Sequence, residues 1–445
     1  MRTGSALAAS LALPKFTIGK SGPSLNSRLN IAFIGGGGIA RVAYDGCAGE
    51  NFVAICDVDD DRCAAYRAKY PQARAFHDYR EMLEQMEHQI DAVVISTPDH
   101  HHFAATYLAM SMGKHVYTQK PLTHNIWQSR TLKKAAHYFK VVTQMGNQGH
   151  ATEGIRLVKE WVDAGTIGAV REVHAWFNGP NFDGNYFTMP ESFPPSPEMV
   201  PTALDYDLWL GPVAPRPFSS AYHPKLWRGG GGFGLGELGD WACHTLDAPF
   251  WSLGLGMPEK VSVLKRDALH ESFCPRSSHL LFEFPARGDK PPVKLNWYDG
   301  GEKPTGFAEW PADQPIPKSG MAMIGDKHTL MTGSRPDSPR LINDELWQDF
   351  RRNPPAKTIR RIKGGPFQEW IDAIKGDGPM PGSNFDYSAE LTEMSQVGVL
   401  AQRTGLDIAY DAKTMEITNH DGLGDMIREP ARVGWDFGGE VWRNA

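Results

Sequence analysis

NIAFIGGGGIA, residues 30–40, joins a short apolar, β-prone run directly to a glycine turn. Gly35, Gly37 and Ala40 occupy the three positions of G-x-G-x-x-A. In such a turn the first glycine admits the tight bend and the second lets backbone approach a pyrophosphate. A small third residue lets strand and helix pack closely. A helix beginning here then points its N–H groups at the phosphates. A second β-prone run, residues 52–56 (FVAIC), ends in Asp57, about 20 residues past the turn. A carboxylate there accepts hydrogen bonds from ribose hydroxyls and repels a 2′-phosphate. NAD is therefore favoured over NADP, with Arg62 close enough to soften that preference. A lone glycine turn would be weak evidence. Strand, glycine turn, helix, strand and acidic terminus in this order predict a dinucleotide site.

The alternation continues outward. Residues 92–96 (AVVIS), 115–118 (HVYT) and 141–145 (VVTQM) read as further strands, and helices are predicted over about 103–112 and 126–138. Strands alternating with helices imply a doubly wound parallel sheet, which binds its ligand at the carboxyl ends of the strands. Thr97, Pro98, the run His100-His101-His102, Lys120, Asn147 and His150 all fall at or just after those ends. Adjacent histidines project in different directions, so the run does not converge on one ion and no metal is expected. The first domain is expected over 28–149 and a second over 150–445.

Composition narrows the function classes. The chain has 445 residues, 41% of them apolar and 22% charged, which is ordinary globular usage. Its net charge of −6 and the lack of a Lys/Arg block argue against a polyanion-binding surface, so no nucleic-acid partner is expected. No apolar run approaches the ~18 residues of a membrane span. Cys47, Cys56, Cys63, Cys243 and Cys274 are odd in number and form no C-x-x-C pair, so neither a disulfide framework nor a zinc finger is expected. Residues 1–27 begin with a small, apolar stretch (RTGSALAASLALP, from Arg2) and continue Gly/Ser/Pro-rich. They read either as the tail of a twin-arginine-like export signal without its arginines, giving a periplasmic protein, or as a disordered arm of a cytoplasmic one.

In the second half, residues 154–164 have helical spacing and 170–177 alternate as a strand should. A Pro- and aromatic-rich stretch over about 179–236 is too long for a plain connector and reads as a binding loop. Its Tyr186, Phe187, Trp209, Tyr222 and Trp227 either stack on pyranose faces or fill the loop's own core. A Gly-rich turn, 229–239, then precedes Asp240-Trp241-Ala242-Cys243-His244. With a helix beginning there, Asp240 lies in the first turn, and His244 lies one turn on along the same face. Alcohol oxidation needs a base for the hydroxyl proton, and a histidine oriented by a carboxylate supplies one. The competing reading makes Asp240 an N-cap and His244 a surface residue. His150 likewise either reaches substrate or merely caps a turn. The runs VSVLK, HLLFEF, VKLNWYD and MAMIGD between 260 and 330 read as strands, and amphipathic helices follow at 366–375 and 390–403.

The glycine turn, T-P-x-x-x-H (97–102), x-K-P (119–121) and G-D-x-x-x-H (239–244) together resemble the Gfo/Idh/MocA oxidoreductases, over about residues 30–418. That family is named in part for glucose-fructose oxidoreductase and inositol dehydrogenase. The segments TQMGNQGH, DYDLWLGP and GDWACHTLD look closest to its exported bacterial branch. The resemblance implies a Rossmann domain followed by an α+β domain with a large, mostly antiparallel open sheet. It also implies C-terminal helices packing back on the first domain, and dimers or tetramers. Lys120 takes the catalytic lysine's place, and His102 a position near the nicotinamide ribose. Where the family has Glu-Lys-Pro this chain has Gln119-Lys120-Pro121, so the lysine's usual carboxylate neighbour is missing.

The expectation is an NAD-dependent sugar or polyol oxidoreductase. His244 is its base, Asp240 orients that base or grips a hydroxyl, and Lys120 completes the proton network. Gly35, Gly37, Gly38, Ile39, Ala40, Asp57, Thr97, Pro98, His102, Lys120 and Asn147 would hold the cofactor. His150, Tyr222, Trp227, Asp240 and His244 would hold a carbohydrate, with a 3-keto sugar as one product. Two alternatives stand beside it: a redox-neutral glycosidase with retained NAD, and a non-catalytic nucleotide- or sugar-binding module.

Overall fold

The computed structural model describes residues 28–178, 189–224, 226–268 and 270–443. Tyr186, Phe187 and residues 1–27 lie outside the described residues. The first domain runs β1 (Asn30–Ile34), α1 (Ala40–Gly46), β2 (Asn51–Cys56), α2 (Asp60–Lys69), β3 (Arg74–Phe76) and α3 (Tyr79–Gln85). It continues with β4 (Ala92–Ile95), α4 (Asp99–Ser111), β5 (His115–Thr118), α5 (Ile126–Phe139) and β6 (Thr143–Met145). These strands form a six-stranded sheet in the order β3-β2-β1-β4-β5-β6, parallel throughout. Buried strands with no polar face, such as AVVI in β4, are what a sheet covered on both sides requires. Helix α4 begins at Asp99, earlier than its apolar spacing predicts, so the three histidines sit in its first turn.

The second domain opens with α6 (Glu153–Asp163) and β7 (Val170–Phe177), followed by α7 (Tyr206–Leu210), α8 (Gly236–Thr245) and α9 (Asp247–Leu253). Strands β8 (Lys260–Asp267), β9 (Ser277–Phe284), β10 (Val293–Asp299), β11 (Gly320–Gly325), β12 (Thr329–Thr332) and β13 (Arg340–Leu341) follow. The chain ends through α10 (Asp344–Phe350), α11 (Gly365–Lys375), α12 (Phe385–Thr404), β14 (Ile408–Asp411), β15 (Glu416–Ile417) and two short helical turns. The nine-stranded sheet has the order β13-β12-β11-β7-β10-β9-β8-β14-β15. It is antiparallel except where β10 runs parallel to β7.

One expectation needs correction. Helix α8 starts at Gly236, inside the predicted glycine turn, so Asp240 lies in its second turn and Glu237 takes the first. The glycines permit this start: Gly236 has φ +68°. Of the two readings of the aromatic stretch, its described part fits the packed one. Trp209, Phe218, Tyr222, Trp227 and Phe233 form a small core of their own.

The domains are joined through apolar packing and polar ties. On α11, Phe367 stacks on Tyr117 of β5 with ring centroids 4.0 Å apart, and Trp370 joins the cluster under β1 and β2. Helix α12 lies along α5, where Lys133 meets Glu390 at 2.6 Å and Gln396 donates to the Thr123 carbonyl at 2.8 Å. The final segment also returns to the first domain, with Trp442 stacked on Trp127 and donating to Thr131 Oγ1 at 2.9 Å.

Candidate active site

The glycine turn bends out of β1 against the end of β4. Gly35 has φ +85°, and a Cβ there would sit 2.7 Å from the Ser96 carbonyl carbon, so no other residue fits. Asp57 accepts from the Gly36 N–H at 2.6 Å and from the Asp59 N–H at 3.0 Å. Burial raises its pKa, and those N–H groups work against the rise. Arg62 folds over the turn, 3.2 Å from where a Gly37 Cβ would project.

Above the turn lies a cleft of about 590 Å³. Of the residues predicted to hold the cofactor, Gly35, Gly37, Gly38, Ile39, Asp57, Thr97 and Pro98 line it. Ala40 is fully buried behind them, where its small side chain seats the helix on the sheet. The N–H groups of Gly37, Gly38 and Ile39 find no acceptor among the described residues. Ser96 Oγ and Thr97 Oγ1 are likewise buried without partners. Buried polar groups are rarely left so, and this set of unused donors suits a dinucleotide's pyrophosphate and ribose.

The aromatic segment roofs this cleft with Trp209, His223, Pro224 and Trp227. It is tied to the first domain by main-chain bonds, Asp205 N–H to the Val58 carbonyl at 2.8 Å and Asp60 N–H to the Ala203 carbonyl at 3.0 Å. His223 Nε2 also meets Asp59 at 3.1 Å. The histidine run serves the same attachment. His100 and His101 both donate from Nε2 to the Trp209 carbonyl, at 2.8 and 2.9 Å. His102 does not line the cleft. Its nitrogens face the carbonyls of Pro121 (2.7 Å) and Thr97 (3.0 Å), and burial pushes its pKa down to about 4. Its ring therefore braces two strand-end loops.

Lys120, at the end of β5, crosses the domain boundary to α8. Its Nζ donates to Asp240 Oδ1 at 2.6 Å and to the Asp240 carbonyl at 2.7 Å. Arg228 stands 3.6 Å from the same carboxylate. Burial alone would raise the Asp240 pKa, but Lys120 and Arg228 bring it down to about 2. Asp99, almost fully buried nearby, moves the other way, to about 7, through burial and the charge of Asp240. His244 is 2% exposed, which excludes the surface reading. Its Nδ1 has no partner among the described residues, and burial together with Lys120 and Arg335 holds its pKa well below the usual histidine value. Burial thus favours the neutral imidazole, with Nδ1 left unbonded. Gln119, beside Lys120, is buried with neither amide atom bonded among the described residues.

Other predicted site residues lie elsewhere. Asn147 and His150 converge on Asp247 of α9: Asn147 Nδ2 donates at 3.0 Å and His150 Nδ1 at 2.9 Å. Tyr387 of α12 donates to the same carboxylate at 2.6 Å. Both residues thus build the domain junction; like Lys120, Asp240 and His244, they are not among the residues lining the cleft. Tyr222 packs on Phe233 inside the roof, with centroids 4.9 Å apart, and offers no sugar platform. Trp227 does line the cleft, with the Arg228 guanidinium 4.3 Å from its ring. Sequence reasoning missed Asp99, Arg228, Asp247 and Arg335. Only Asp247, one turn beyond His244, carried a local signal.

Comparison with known proteins agrees with this architecture. The profile "Oxidoreductase family, NAD-binding Rossmann fold" matches residues 29–147, and "Oxidoreductase family, C-terminal alpha/beta domain" matches 153–271. An inositol 2-dehydrogenase/D-chiro-inositol 3-dehydrogenase of Lacticaseibacillus casei is 30% identical over 164 residues, covering 36% of this chain and 47% of that protein. A 1,5-anhydro-D-fructose reductase of Ensifer adhaerens is 27% identical over 165 residues, covering 36% and 49%. The chain thus spans about half the length of these curated relatives. An inositol dehydrogenase homolog from Azotobacter vinelandii, solved with NADH and myo-inositol, superposes with TM-score 0.59 at 18% identity, over 86% of this chain and 98% of that one. The WlbA dehydrogenase from Bordetella pertussis, solved with NADH and UDP-GlcNAcA, gives 0.58 at 18% identity, over 86% and 99%.

Proposed function

This chain is an NAD-binding oxidoreductase of the Gfo/Idh/MocA family, and from that premise we propose that it oxidises or reduces one carbon of a sugar or polyol. The carrying observation is the Lys120–Asp240 pair at 2.6 Å beside a buried, neutral His244 with an unused nitrogen. When bound, the dinucleotide supplies the hydride acceptor or donor. The glycine turn and its free N–H groups would hold the phosphates, and Asp57 the adenosine ribose. Asp57 favours NAD over NADP, because a second negative charge beside it is repelled.

The chain's own residues then handle the proton. His244 accepts the substrate hydroxyl proton as the carbonyl forms, and gives it back in the reverse direction. Lys120 donates to the same oxygen and stabilises the negative charge that develops there. Asp240 holds the ammonium in place. This charged centre favours chemistry over the non-catalytic alternative.

Nicotinamide absorbance tests the reading directly. NAD is mixed with the protein and a panel of inositols, free sugars and glycosides. A steady rise with one of them is expected, and none with any of them refutes it. One observation favours the redox-neutral reading as a second: the roof is stitched to the first domain by main-chain bonds and by His223, so a dinucleotide beneath it would leave slowly. Aglycone release without sustained absorbance change would establish that case.

A further inference from the structure

Among the described residues, one cation near His244 makes no ion pair. The loop 333–337, after β12, lays Arg335 against Trp241, with its guanidinium 4.9 Å from the ring centroid. The same ring meets the His244 imidazole at 5.3 Å and stacks on Phe177 at 3.6 Å. Among the described residues Arg335 has no ion pair and its side chain is exposed. Lys120 and Arg228, the other cations here, both face Asp240. The positive charge of Arg335 is felt at His244, where it opposes protonation.

The backbone carrying this side chain is fixed on both flanks. Thr245, next to His244, donates from its hydroxyl to the Ser334 carbonyl at 2.9 Å. Pro336 is buried against Gly149 and Gly154. A Cβ on Gly149 would lie 2.7 Å from Pro336 Cδ, and one on Gly154 only 2.1 Å from the Pro336 carbonyl oxygen. Glycine at both places lets the loop seat this deeply. A guanidinium held over the indole that also meets His244 has the planar donor set that pairs with an oxyanion.

We propose that Arg335 selects substrates carrying an oxyanion, a sugar carboxylate or a sugar phosphate, over neutral sugars. The proposal rests on the oxidoreductase reading of the site and names its substrate class. It is tested by calorimetric titration of the full chain with NADH present, using D-glucuronate, D-glucose 6-phosphate and D-glucose. Wild type is expected to bind at least one anionic sugar about tenfold or more tighter than glucose, the range of a charge-assisted contact. Arg335→Gln should bring that ratio to within about twofold, and Arg335→Lys should restore part of it. Which of the two anions binds tells carboxylate from phosphate. Equal affinity of wild type for all three sugars, no binding of either anion, or an Arg335→Gln variant that keeps its preference overturns the proposal. Failure of the oxidoreductase reading looks different: the anionic preference persists, but no sugar changes nicotinamide absorbance.

Discussion

Replacing Lys120 with Met tests the centre of the site, because it leaves Asp240 buried without its nearest cation. At 2.6 Å, and with an effective dielectric near 20, the pair attracts by roughly 6 kcal/mol before desolvation is counted. The net is much smaller. Moving the carboxyl from 3.8 to about 2 corresponds to about 2 kcal/mol, burial having cancelled the rest. Breaking a buried pair typically costs ~3–5 kcal/mol, and Arg228, still 3.6 Å away, should limit the loss to about 2–4 kcal/mol. The sign with pH follows from the depressed folded pKa. This stability is present above the unfolded value of about 4 and is lost as pH falls toward 2.

Urea midpoints of wild type and Lys120→Met should therefore differ fully near about pH 7 and by roughly half as much near about pH 3. Turnover should fall about 10²–10⁴-fold, as for loss of a proton-handling or charge-stabilising group. The double variant with Asp240→Asn should be less destabilised than the sum of the single changes. Additivity within ~0.5 kcal/mol would refute the coupling on which the mechanism depends.

Four further outcomes are expected. Gly35→Ala, which needs φ +85° and meets Ser96 at 2.7 Å, should weaken NADH binding at least about tenfold in a fluorescence titration. His244→Asn should lower turnover about 10²–10⁴-fold while leaving the NADH dissociation constant within about twofold. Phe367→Ala removes the ring stacked on Tyr117 and should destabilise by about 3–5 kcal/mol in urea titration, since the site is 3% exposed and cannot refill with solvent contacts. His223→Ala removes a side-chain tie of the roof to Asp59 and should speed NADH release about fivefold in stopped flow, the equivalent of ~1 kcal/mol.

The first domain was readable because its signals are local. A β-run followed by a glycine turn must bend where Gly35 bends, and the wholly apolar AVVI can only be a strand covered on both faces. Strand β3 was invisible because it has three residues, two of them exposed, and so shows no alternation. Strands β12 to β15 are short pieces at or next to the sheet's edges, where pairing is decided by neighbours along the chain. The start of α8 was misplaced for a related reason. Glycine is a poor helix former, yet Gly236 and Gly239 sit where Cys274 and Leu235 press too close for any side chain. Tertiary crowding overrode propensity there, and Asp240 moved from the first turn to the second.

The site divides along the same line. Lys120, Asp240 and His244 stand in short motifs, whereas Arg335, Arg228 and Asp99 reach the site only through the fold. No spacing rule brings a loop after β12 beside α8. The Lys120–Asp240 bond itself spans the two domains, so its length depends on the angle between them. One buried polar tie at that boundary is Asp247, which receives Asn147, His150 and Tyr387. Directional hydrogen bonds fix an orientation that apolar packing alone leaves looser, because a shifted interface would strand a buried carboxylate. Asn147 and His150 therefore meet on one buried carboxylate, at the same boundary that the Lys120–Asp240 bond crosses.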